Sequence, residues 1–352
     1  MMADLSEAIQ QQVLLAVENQ QPLNIVSGNS KSFLYQKQAG DTLSLHEHRG
    51  IVSYQPTELV VTAFAGTKLK DLQDMLAEHH QRLPFDPPHF GDNATLGGTI
   101  AAGLSGSIRP FTGSARDYVL GCKIINGKGQ IMQFGGQVMK NVAGYDVSRL
   151  MVGAMGSLGV FLEISLKVLP IPASECYLSQ PRNTHDALRL MQTLASQNLP
   201  LSGLAYDGEA VHIRLSGAEA AVRAARQKLG GEQHAADTFW RQVNEQQYPF
   251  FDGKMPLWRV SVPPATADLP LSGKQLFDWA GGLRWIKTDE TAEKIFKLAS
   301  RYHGHAQLFR TPDSKSLRRQ PLSSGLKNLH LQLKHSFDPQ GIFNRGQLYP
   351  DF

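Results

Sequence analysis

NATLGGTIAAGLSG, residues Asn93–Gly106, is the stretch that decides the fold of this chain, and a second glycine-rich stretch, GAMGSLG, follows at Gly153–Gly159. Glycine permits backbone conformations with positive φ and lets main-chain N–H groups come close to a ligand. Such N–H groups, and the first turn of a following helix, bind diphosphate oxygens without a charged side chain. The two stretches therefore predict a cofactor that contains a diphosphate.

The common nucleotide-binding motifs are absent from the sequence. A Rossmann site needs G-x-G-x-x-G between a strand and a helix, and this chain has only the wider spacing Gly153-x-x-Gly156-x-x-Gly159. The P-loop pattern G-x-x-x-x-G-K-[ST] is also missing, which argues against a P-loop nucleotidase.

Three blocks of sequence stand in the order found in one group of flavoproteins. They are IVSGNSKS at Ile25–Ser32, PFDPPHFGDNATLGGTIAAGLSG at Pro84–Gly106 and KNVAGYDVSRLMVGAMGSLGVFLEISLKVLP at Lys140–Pro170. FDPQGIFNRGQLYP at Phe337–Pro350 is similar to the closing segment of the same group. The blocks resemble the FAD-binding domain of the vanillyl-alcohol-oxidase/p-cresol-methylhydroxylase superfamily. Within it, ARDYVLG at Ala115–Gly121 favours the FAD-binding subunits of bacterial glycolate oxidases.

The resemblance implies FAD as the cofactor and assigns a set of residues to its binding. The set is Gly28, Asn29, Ser30, Lys31, Ser32, Pro87, Ala94, Thr95, Leu96, Gly97, Gly98, Ala101, Ala102, Ser105, Ser107, Gly159 and Val160. Relatives that hold the flavin covalently use a histidine in the first loop or a cysteine in the second. Neither loop has one here, so the resemblance implies noncovalent FAD.

The first loop departs from the family pattern. It has Val26 and Ser27 where the family usually has arginine and glycine, which removes one cation and one permissive backbone position. Lys31 remains either a point charge for a phosphate or a solvated surface lysine, and both interpretations stay open.

Composition excludes several function classes. With 352 residues the chain suits two domains of ordinary size, and its 41% hydrophobic and 19% charged content is typical of a globular protein. The net charge of +4 is small and its cations are scattered, so we do not expect nucleic-acid binding. No apolar run is long enough to span a membrane, and MMADLSEAIQQQ lacks a signal-peptide pattern. Cys122 and Cys176 lie in apolar runs, which predicts free buried thiols and a cytoplasmic protein.

Periodicity and turn signals predict an α+β fold, with a helix at Lys68–His80, a hairpin around Asn126-Gly127 and a strand at Val160–Val168. We expect a two-subdomain FAD-binding domain of the vanillyl-alcohol-oxidase type over residues 1–172, ended by Pro170-Ile-Pro172. An α+β cap with an antiparallel sheet follows over 173–320, with a loop at Leu269–Lys274. Residues 321–352 return to the FAD domain on a helix whose leucine stripe should face that domain: Leu322, Leu326, Leu329 and Leu333.

Oxidation of a 2-hydroxy acid by a flavin needs a base for the hydroxyl proton and a cation for the carboxylate. His303, His305 and Arg310, in YHGHAQLFR, are the candidates for these roles. The alternative is that this H-x-H is structural. Arg284 and Lys287 remain alternative carboxylate holders, and Arg109 and Arg116 are either flavin-facing or structural.

The metal-binding histidine pair and the HxGDGNxH-like segment of the self-sufficient 2-hydroxy-acid dehydrogenases of this superfamily are missing, so we expect no metal. Two cysteines are too few for an iron–sulfur cluster. The resemblance then implies a glycolate-oxidising complex in which a catalytic FAD subunit and an iron–sulfur subunit are the partners, at the inner membrane face through those partners. Two alternatives stay open: a self-sufficient FAD-dependent dehydrogenase of another small 2-hydroxy acid, and a flavin-free scaffold.

One surface prediction accompanies the complex. Phe250, Phe251 and Trp258 are a candidate apolar contact for a partner, with an ordinary core role as the alternative.

Overall fold

The computed structural model describes residues 2–35, 39–136, 146–313 and 316–352. Its contacts divide the chain into two units. The first unit consists of Met1–Ser105, Gly113–Ile171 and Pro321–Phe352, and the second of Gly106–Thr112 and Pro172–Gln320. The short segment Gly106–Thr112, which the sequence left inside the FAD domain, thus belongs to the second unit.

Eleven α-helices are found in the described ranges. They are α1 (Ser6–Glu18), α2 (Leu69–Glu78), α3 (Leu96–Ala102), α4 (Arg109–Thr112), α5 (Ala115–Tyr118), α6 (Val147–Leu150), α7 (Thr184–Ala195), α8 (Glu219–Leu229), α9 (Thr238–Asn244), α10 (Ala292–Arg301) and α11 (Ser324–Phe337). Single 3-10 turns occur at Ser32–Leu34, Pro56–Glu58, Pro249–Phe251 and Trp279–Gly281.

The strands of the first unit are β1 (Leu23–Val26), β2 (Asp41–Ser44), β3 (Ile51–Gln55), β4 (Val60–Phe64), β5 (Gln81–Arg82), β6 (Val119–Ile125), β7 (Ile131–Gly135), β8 (Val160–Lys167) and β9 (Leu169–Pro170). Five of them form an antiparallel sheet in the order β3-β4-β8-β6-β7, while β1 and β2 pair in parallel. The predicted hairpin β6–β7 forms because the Asn126 Oδ1 accepts hydrogen bonds from the N–H groups of Lys128 and Gln130, both at 3.0 Å.

The core of the first unit explains why α2 forms as predicted. Leu69, Leu72 and Leu76 repeat at helical spacing and are fully buried. Strand β8 is the centre of the sheet, and most of its side chains are buried, so it reads as a continuous apolar run rather than an alternating one.

The second unit holds one eight-stranded sheet in the order β13-β10-β12-β11-β15-β16-β14-β17. Its strands are β10 (Ser174–Pro181), β11 (Leu201–Tyr206), β12 (Ala210–Gly217), β13 (Glu232–His234), β14 (Leu257–Ser261), β15 (Lys274–Asp278), β16 (Leu283–Lys287) and β17 (His305–Arg310). Every pairing in this sheet is antiparallel. The α+β class predicted from the sequence is confirmed.

The helix stripe predicted for the C-terminal segment is wrong. Leu326 and Leu329 of α11 are 50% and 51% exposed. The helix is instead anchored at its end by Lys334, which is buried. A leucine stripe at helical spacing indicates an amphipathic helix, but it does not say which face is covered.

One further sequence expectation changes, and one concerns membrane spans. Phe250 and Trp258 are buried and pack inside the second unit, so the proposed apolar partner surface is wrong and the core alternative holds. Among the described helices none is both long and apolar enough to cross a membrane.

Candidate functional site

A cleft in the first unit gathers the sequence motifs. It is partly open to solvent and has a cavity volume of about 90 Å³. The loop after β1, the helix α3, the GAMGSLG stretch and two C-terminal residues line it. Its lining residues include Gly28, Asn29, Ser30, Lys31, Ser32, Thr95, Gly97, Gly98, Ala101, Ala102 and Gly159 from the predicted set.

The first loop presents unused hydrogen-bond donors to this cleft. No described hydrogen bond uses the N–H groups of Gly28, Asn29 or Ser30. Gly28 must be glycine, because a Cβ there would lie 1.4 Å from the carbonyl oxygen of Asn93. Asn29 adopts φ 55°, a left-handed conformation that asparagine tolerates. Consecutive free N–H groups in such a turn form a concave anion-binding surface.

Ser27 is one of the two residues in this loop that depart from the family pattern, and its hydroxyl group is suited to binding a ligand. Its hydroxyl is buried on the cleft and has no hydrogen-bond partner. A buried hydroxyl without a partner costs about 1–3 kcal/mol, so a ligand oxygen at this position would stabilise it. The serine thus offers a neutral donor where the family has glycine.

Lys31 is not a solvated surface lysine. Its side chain is only 7% exposed, and its Nζ donates to the carbonyl oxygen of His89 at 3.2 Å and to Ser30 Oγ at 3.4 Å. The Nζ also lies 5.8 Å from the centre of the Phe90 ring. These contacts hold a positive charge at the wall of the cleft, where the sequence left two interpretations open.

The second loop lines the cleft with small residues, but the main-chain N–H groups at its helix start are not free to bind a ligand. The N–H of Leu96 donates to Thr67 and that of Gly97 to Ala65, so the first amides of α3 are already occupied. The expectation that this helix start binds a diphosphate is therefore wrong for these two groups. Gly97 packs against Ala65, where a Cβ would lie 2.8 Å from that residue.

Gly98 differs from Gly97 in what surrounds it. A Cβ added at Gly98 would meet nothing closer than Thr95 Oγ1, at 3.2 Å, and the residue lines the cleft. The missing side chain therefore leaves space for a ligand and not for the protein's own core. Ala101 and Ala102 continue this small-residue wall one turn later.

The third wall is tied to the second by main-chain hydrogen bonds. The N–H of Gly153 donates to Ile100 and that of Met155 to Ala101. Gly103, at the end of α3, has φ 64°, and a Cβ there would lie 2.9 Å from the Cα of Gly153. The part of the third sequence block before Asp146 lies outside the described residues.

Asn344 joins two walls of the cleft; the sequence analysis placed it in the closing segment Phe337–Pro350 without assigning it a role. Its Oδ1 accepts a hydrogen bond from the N–H of Ile25 at 2.8 Å, and its Nδ2 donates to the carbonyl of Met155 at 2.7 Å. Gly156 has φ 71°, and a Cβ there would lie 2.5 Å from the Asn344 Nδ2. Asn344 therefore fixes the spacing between the first loop and the GAMGSLG stretch.

A buried ion pair holds Asn344 in place. The Lys334 Nζ donates to Asp338 Oδ2 at 2.7 Å and to the carbonyls of Ser157 and Phe343 at 2.8 and 2.9 Å. Asp338 in turn accepts from the N–H groups of Ile342 and Phe343. Burial lowers the pKa of Lys334, while the Asp338 charge acts in the opposite direction.

Six predicted cofactor residues do not line the cleft. Ala94, Leu96 and Val160 are core residues, and Pro87 is buried. Ser105 accepts a hydrogen bond from the N–H of Ala115. Ser107 lies in the second unit, where its Oγ donates to Asp278 at 2.8 Å. The lining residues that the sequence missed are Ile25, Val26, Ser27, Tyr35, Leu45, Met155, Gly156, Phe161, Asn344 and Gln347.

The chemistry of the cleft lining suits the diphosphate of a dinucleotide. It combines unused amides and an unpartnered hydroxyl with one buried ammonium group, beside walls of glycine and alanine. Neither histidine nor cysteine occurs among the described lining residues. Cys122 is buried in β6, where burial raises the pKa of its thiol to about 12, so it is unreactive.

The second unit separates the three candidate catalytic residues. His305 starts β17 and Arg310 ends it, and the Arg310 Nε donates to Gln246 Oε1 at 2.6 Å. His303 precedes the strand in a left-handed conformation with φ 55°. Burial and then Arg259, Arg109 and Arg319 lower the pKa of His305. Among the described residues, no group of three or more histidine, cysteine, aspartate or glutamate side chains has the geometry to hold a metal ion.

The remaining candidate cations, two arginines and one lysine, each contact a different partner. Arg284 is fully buried, its guanidinium lies 3.9 Å from the centre of the Phe277 ring, and its NH2 group donates to Thr266. Lys287 donates to the carbonyl oxygen of Asp252. Arg109 lies over the ring of Trp279, at 4.2 Å.

Comparisons with known proteins agree with the cleft. The FAD binding domain family matches residues 2–135. The glycolate oxidase subunit GlcE of Escherichia coli (strain K12) is 47% identical over 348 residues, which cover 99% of this chain and 98% of that protein. The D-lactate dehydrogenase of Anaerostipes hadrus is 31% identical over 47% of this chain and 35% of its own length. The glycolate oxidase subunit GlcD of Bacillus subtilis (strain 168) is 41% identical over 29% of this chain and 22% of its own length.

A solved structure shows the same fold. Alkyldihydroxyacetonephosphate synthase aligns with 96% of this chain and 73% of its own, with a TM-score of 0.69 and 17% sequence identity. At that identity the match establishes the fold alone. The near full-length match to GlcE and the matched domain together establish the relationship. The chain is a flavoprotein with an FAD-binding domain, and it belongs to the family of the glycolate oxidase subunit GlcE.

Proposed function

We propose that this chain is the noncovalent FAD-binding subunit of a complex that oxidises glycolate to glyoxylate. The observation that carries the proposal is the cleft of the first unit, whose unused amides, unpartnered Ser27 hydroxyl and buried Lys31 suit a diphosphate. The relationship to GlcE supplies the substrate class. Bound FAD would take up the two electrons that glycolate loses when its hydroxyl-bearing carbon becomes a carbonyl.

Each part of the cleft has a task in this proposal. The N–H groups of Gly28, Asn29 and Ser30 would bind phosphate oxygens, and Lys31 would offset part of their charge. Gly98 and Ala101 would let the cofactor lie against the backbone. Asn344 would keep the first loop and the GAMGSLG stretch at the spacing that the cofactor needs.

We propose His305 as the proton acceptor among the three candidate residues. Burial and three neighbouring arginines lower the pKa of His305, which favours a neutral imidazole that can accept a proton from a hydroxyl group. The roles of His303 and Arg310 in catalysis are proposals from the sequence alone.

The partners in this proposal are a catalytic FAD subunit and an iron–sulfur subunit, at the inner membrane face. GlcE and GlcD are named as subunits of one enzyme, which supports the first partner. The number of electrons transferred in each step supports the second partner, the iron–sulfur subunit. A two-electron donor must feed carriers that accept single electrons, and the two free cysteines of this chain, both buried, cannot ligate a cluster.

Reconstitution tests the proposal. The chain is co-expressed with the catalytic and iron–sulfur subunits in a strain that lacks its own glycolate oxidase, and glycolate-dependent dye reduction is measured with and without it. We expect activity only when the chain is present, and slow reduction of its own flavin by glycolate when it is alone. Full activity without the chain would contradict the proposal. Rapid turnover by the chain alone would favour a self-sufficient dehydrogenase.

A further inference from the structure

A cationic cluster in the second unit lies on one face of the sheet. In antiparallel pairing, directly opposed residues point to the same side, and so do residues two apart along a strand. Arg259 on β14 pairs with Gln307 on β17, and Gln307 pairs in turn with Arg319. His305 lies two residues before Gln307 and therefore shares its face. Register alone brings two arginines and a histidine together.

The opposite face of these strands is apolar. Trp258, Val260, Ala306 and Leu308 belong to a buried cluster with Ile295 of α10. The alternation along β14 and β17 thus separates an apolar face covered by α10 from a face that carries the charged side chains.

Trp279 joins a third arginine to the cluster. The guanidinium carbon of Arg109 lies 4.2 Å from the centre of a Trp279 ring, and that of Arg259 lies 4.9 Å from it. A stacked guanidinium group uses its face for the ring and keeps its N–H groups in its plane for other partners. Arg259, stacked on the indole in this way, is suited to binding a planar anion.

The indole is held by several contacts. The Trp279 Nε1 donates to the carbonyl of Gly106 at 3.0 Å, and its main-chain N–H donates to Asp278 Oδ1 at 2.7 Å. Trp279 and Ala280 have φ values of 53° and 55°. A left-handed backbone conformation costs about 1–3 kcal/mol for each residue other than glycine. The contacts of Trp279 therefore stabilise a strained conformation that positions the indole.

The cluster has more positive than negative charge. Arg259 makes no described hydrogen bond or ion pair. Burial and the charges of Arg109 and Arg319 lower its pKa to about 10, and Asp278 is the carboxylate that opposes this. Asp278 already accepts hydrogen bonds from Ser107 and Trp279. A desolvated guanidinium group without a hydrogen-bond partner, as at Arg259, is costly, and a bound anion would relieve that cost.

We propose that Arg259, stacked with Arg109 on Trp279 and grouped by strand register with Arg319 and His305, is the centre of a binding site for the carboxylate of a small organic acid. The inference rests on the proposed function, because it assigns the carboxylate of the 2-hydroxy acid to residues that the sequence did not select for that role. Arg259 is the central residue, since it contacts the indole and faces Gln307 across the strand pair.

The test measures binding rather than turnover. The flavin-loaded chain is titrated by calorimetry with oxamate, a small monocarboxylate with no α C–H bond to oxidise, and with glycolamide, a neutral analogue of glycolate. Inorganic phosphate is the third probe. We expect oxamate to bind, glycolamide and phosphate to bind at least tenfold more weakly, and Arg259→Gln to weaken oxamate binding at least tenfold. Arg259→Lys should give an intermediate affinity.

The matched control is Arg301→Gln, which removes an exposed arginine from α10, and it should leave oxamate binding unchanged. Flavin content and circular dichroism establish that each variant is folded. Unchanged oxamate affinity in Arg259→Gln would overturn the site, and so would phosphate binding as tight as that of oxamate. Failure of the proposed function would appear separately, as a chain without flavin or as glycolate oxidation without the chain.

Discussion

Gly98→Val is expected to abolish stable flavin binding in a chain that still folds. The added Cβ would make a tight contact with Thr95 Oγ1, at 3.2 Å, and this side chain must shift by a few tenths of an ångström to admit it. Because Gly98 lies in α3 without a positive φ, valine meets no backbone strain there. The branched side chain would occupy the path of the diphosphate. A clash of about 3 kcal/mol weakens affinity by roughly 100-fold, and flavin content after gel filtration measures the loss.

The control for this variant is the same substitution at an open position. Gly325→Val places the side chain on α11, where a Cβ would meet nothing within 4 Å. It should retain the flavin content of the unaltered chain. If folded Gly98→Val also retained it, the cofactor would not pass over α3 as proposed.

Lys334→Met is expected to give the largest loss of stability. The methionine has similar length but removes three hydrogen bonds from a buried ammonium group and leaves Asp338 without its counter-charge. Breaking one partner of a buried pair costs about 3–5 kcal/mol. Since Asp338 also orders the turn before Asn344, flavin binding should weaken together with the free energy of unfolding.

Denaturant unfolding followed by circular dichroism and by flavin release measures both effects. Lys327→Met is the matched control, because Lys327 is an exposed lysine on the same helix and pairs with Asp351 at the surface. Surface pairs contribute about 0–1 kcal/mol. Equal unfolding midpoints for the two variants would mean that the buried pair does not hold the C-terminal segment.

Local sequence signals predicted much of the first unit. The Asn126-Gly127 turn, the leucine spacing of α2 and the apolar run of β8 each depend on neighbouring residues alone, and the structure confirms them. Strand β15 was missed, because Lys274–Asp278 is short and directly follows a segment rich in proline, serine and glycine. Its place in the middle of the sheet depends on partners far along the chain.

Two groups of contacts could not be predicted, and for the same reason: each joins residues that are far apart in the chain. Asn344 meets Ile25 across 319 positions; both lie in segments that the resemblance singled out, but neither segment indicates the contact between them. Arg259 and Arg319 come together only through the register of β14 and β17. Most cations are spread along the sequence, so the grouping of these two arginines follows from strand pairing and not from a local motif.

The central claim is that the cleft of the first unit binds FAD without a covalent bond. The direct test is to saturate the purified chain with FAD, separate it by gel filtration, record its visible spectrum and then precipitate it with acid. We predict stoichiometric flavin with an absorption maximum at about 450 nm, as flavin chemistry requires, and its complete release to the supernatant. A folded chain that emerges colourless would contradict FAD binding, and yellow colour left in the pellet would contradict the noncovalent assignment.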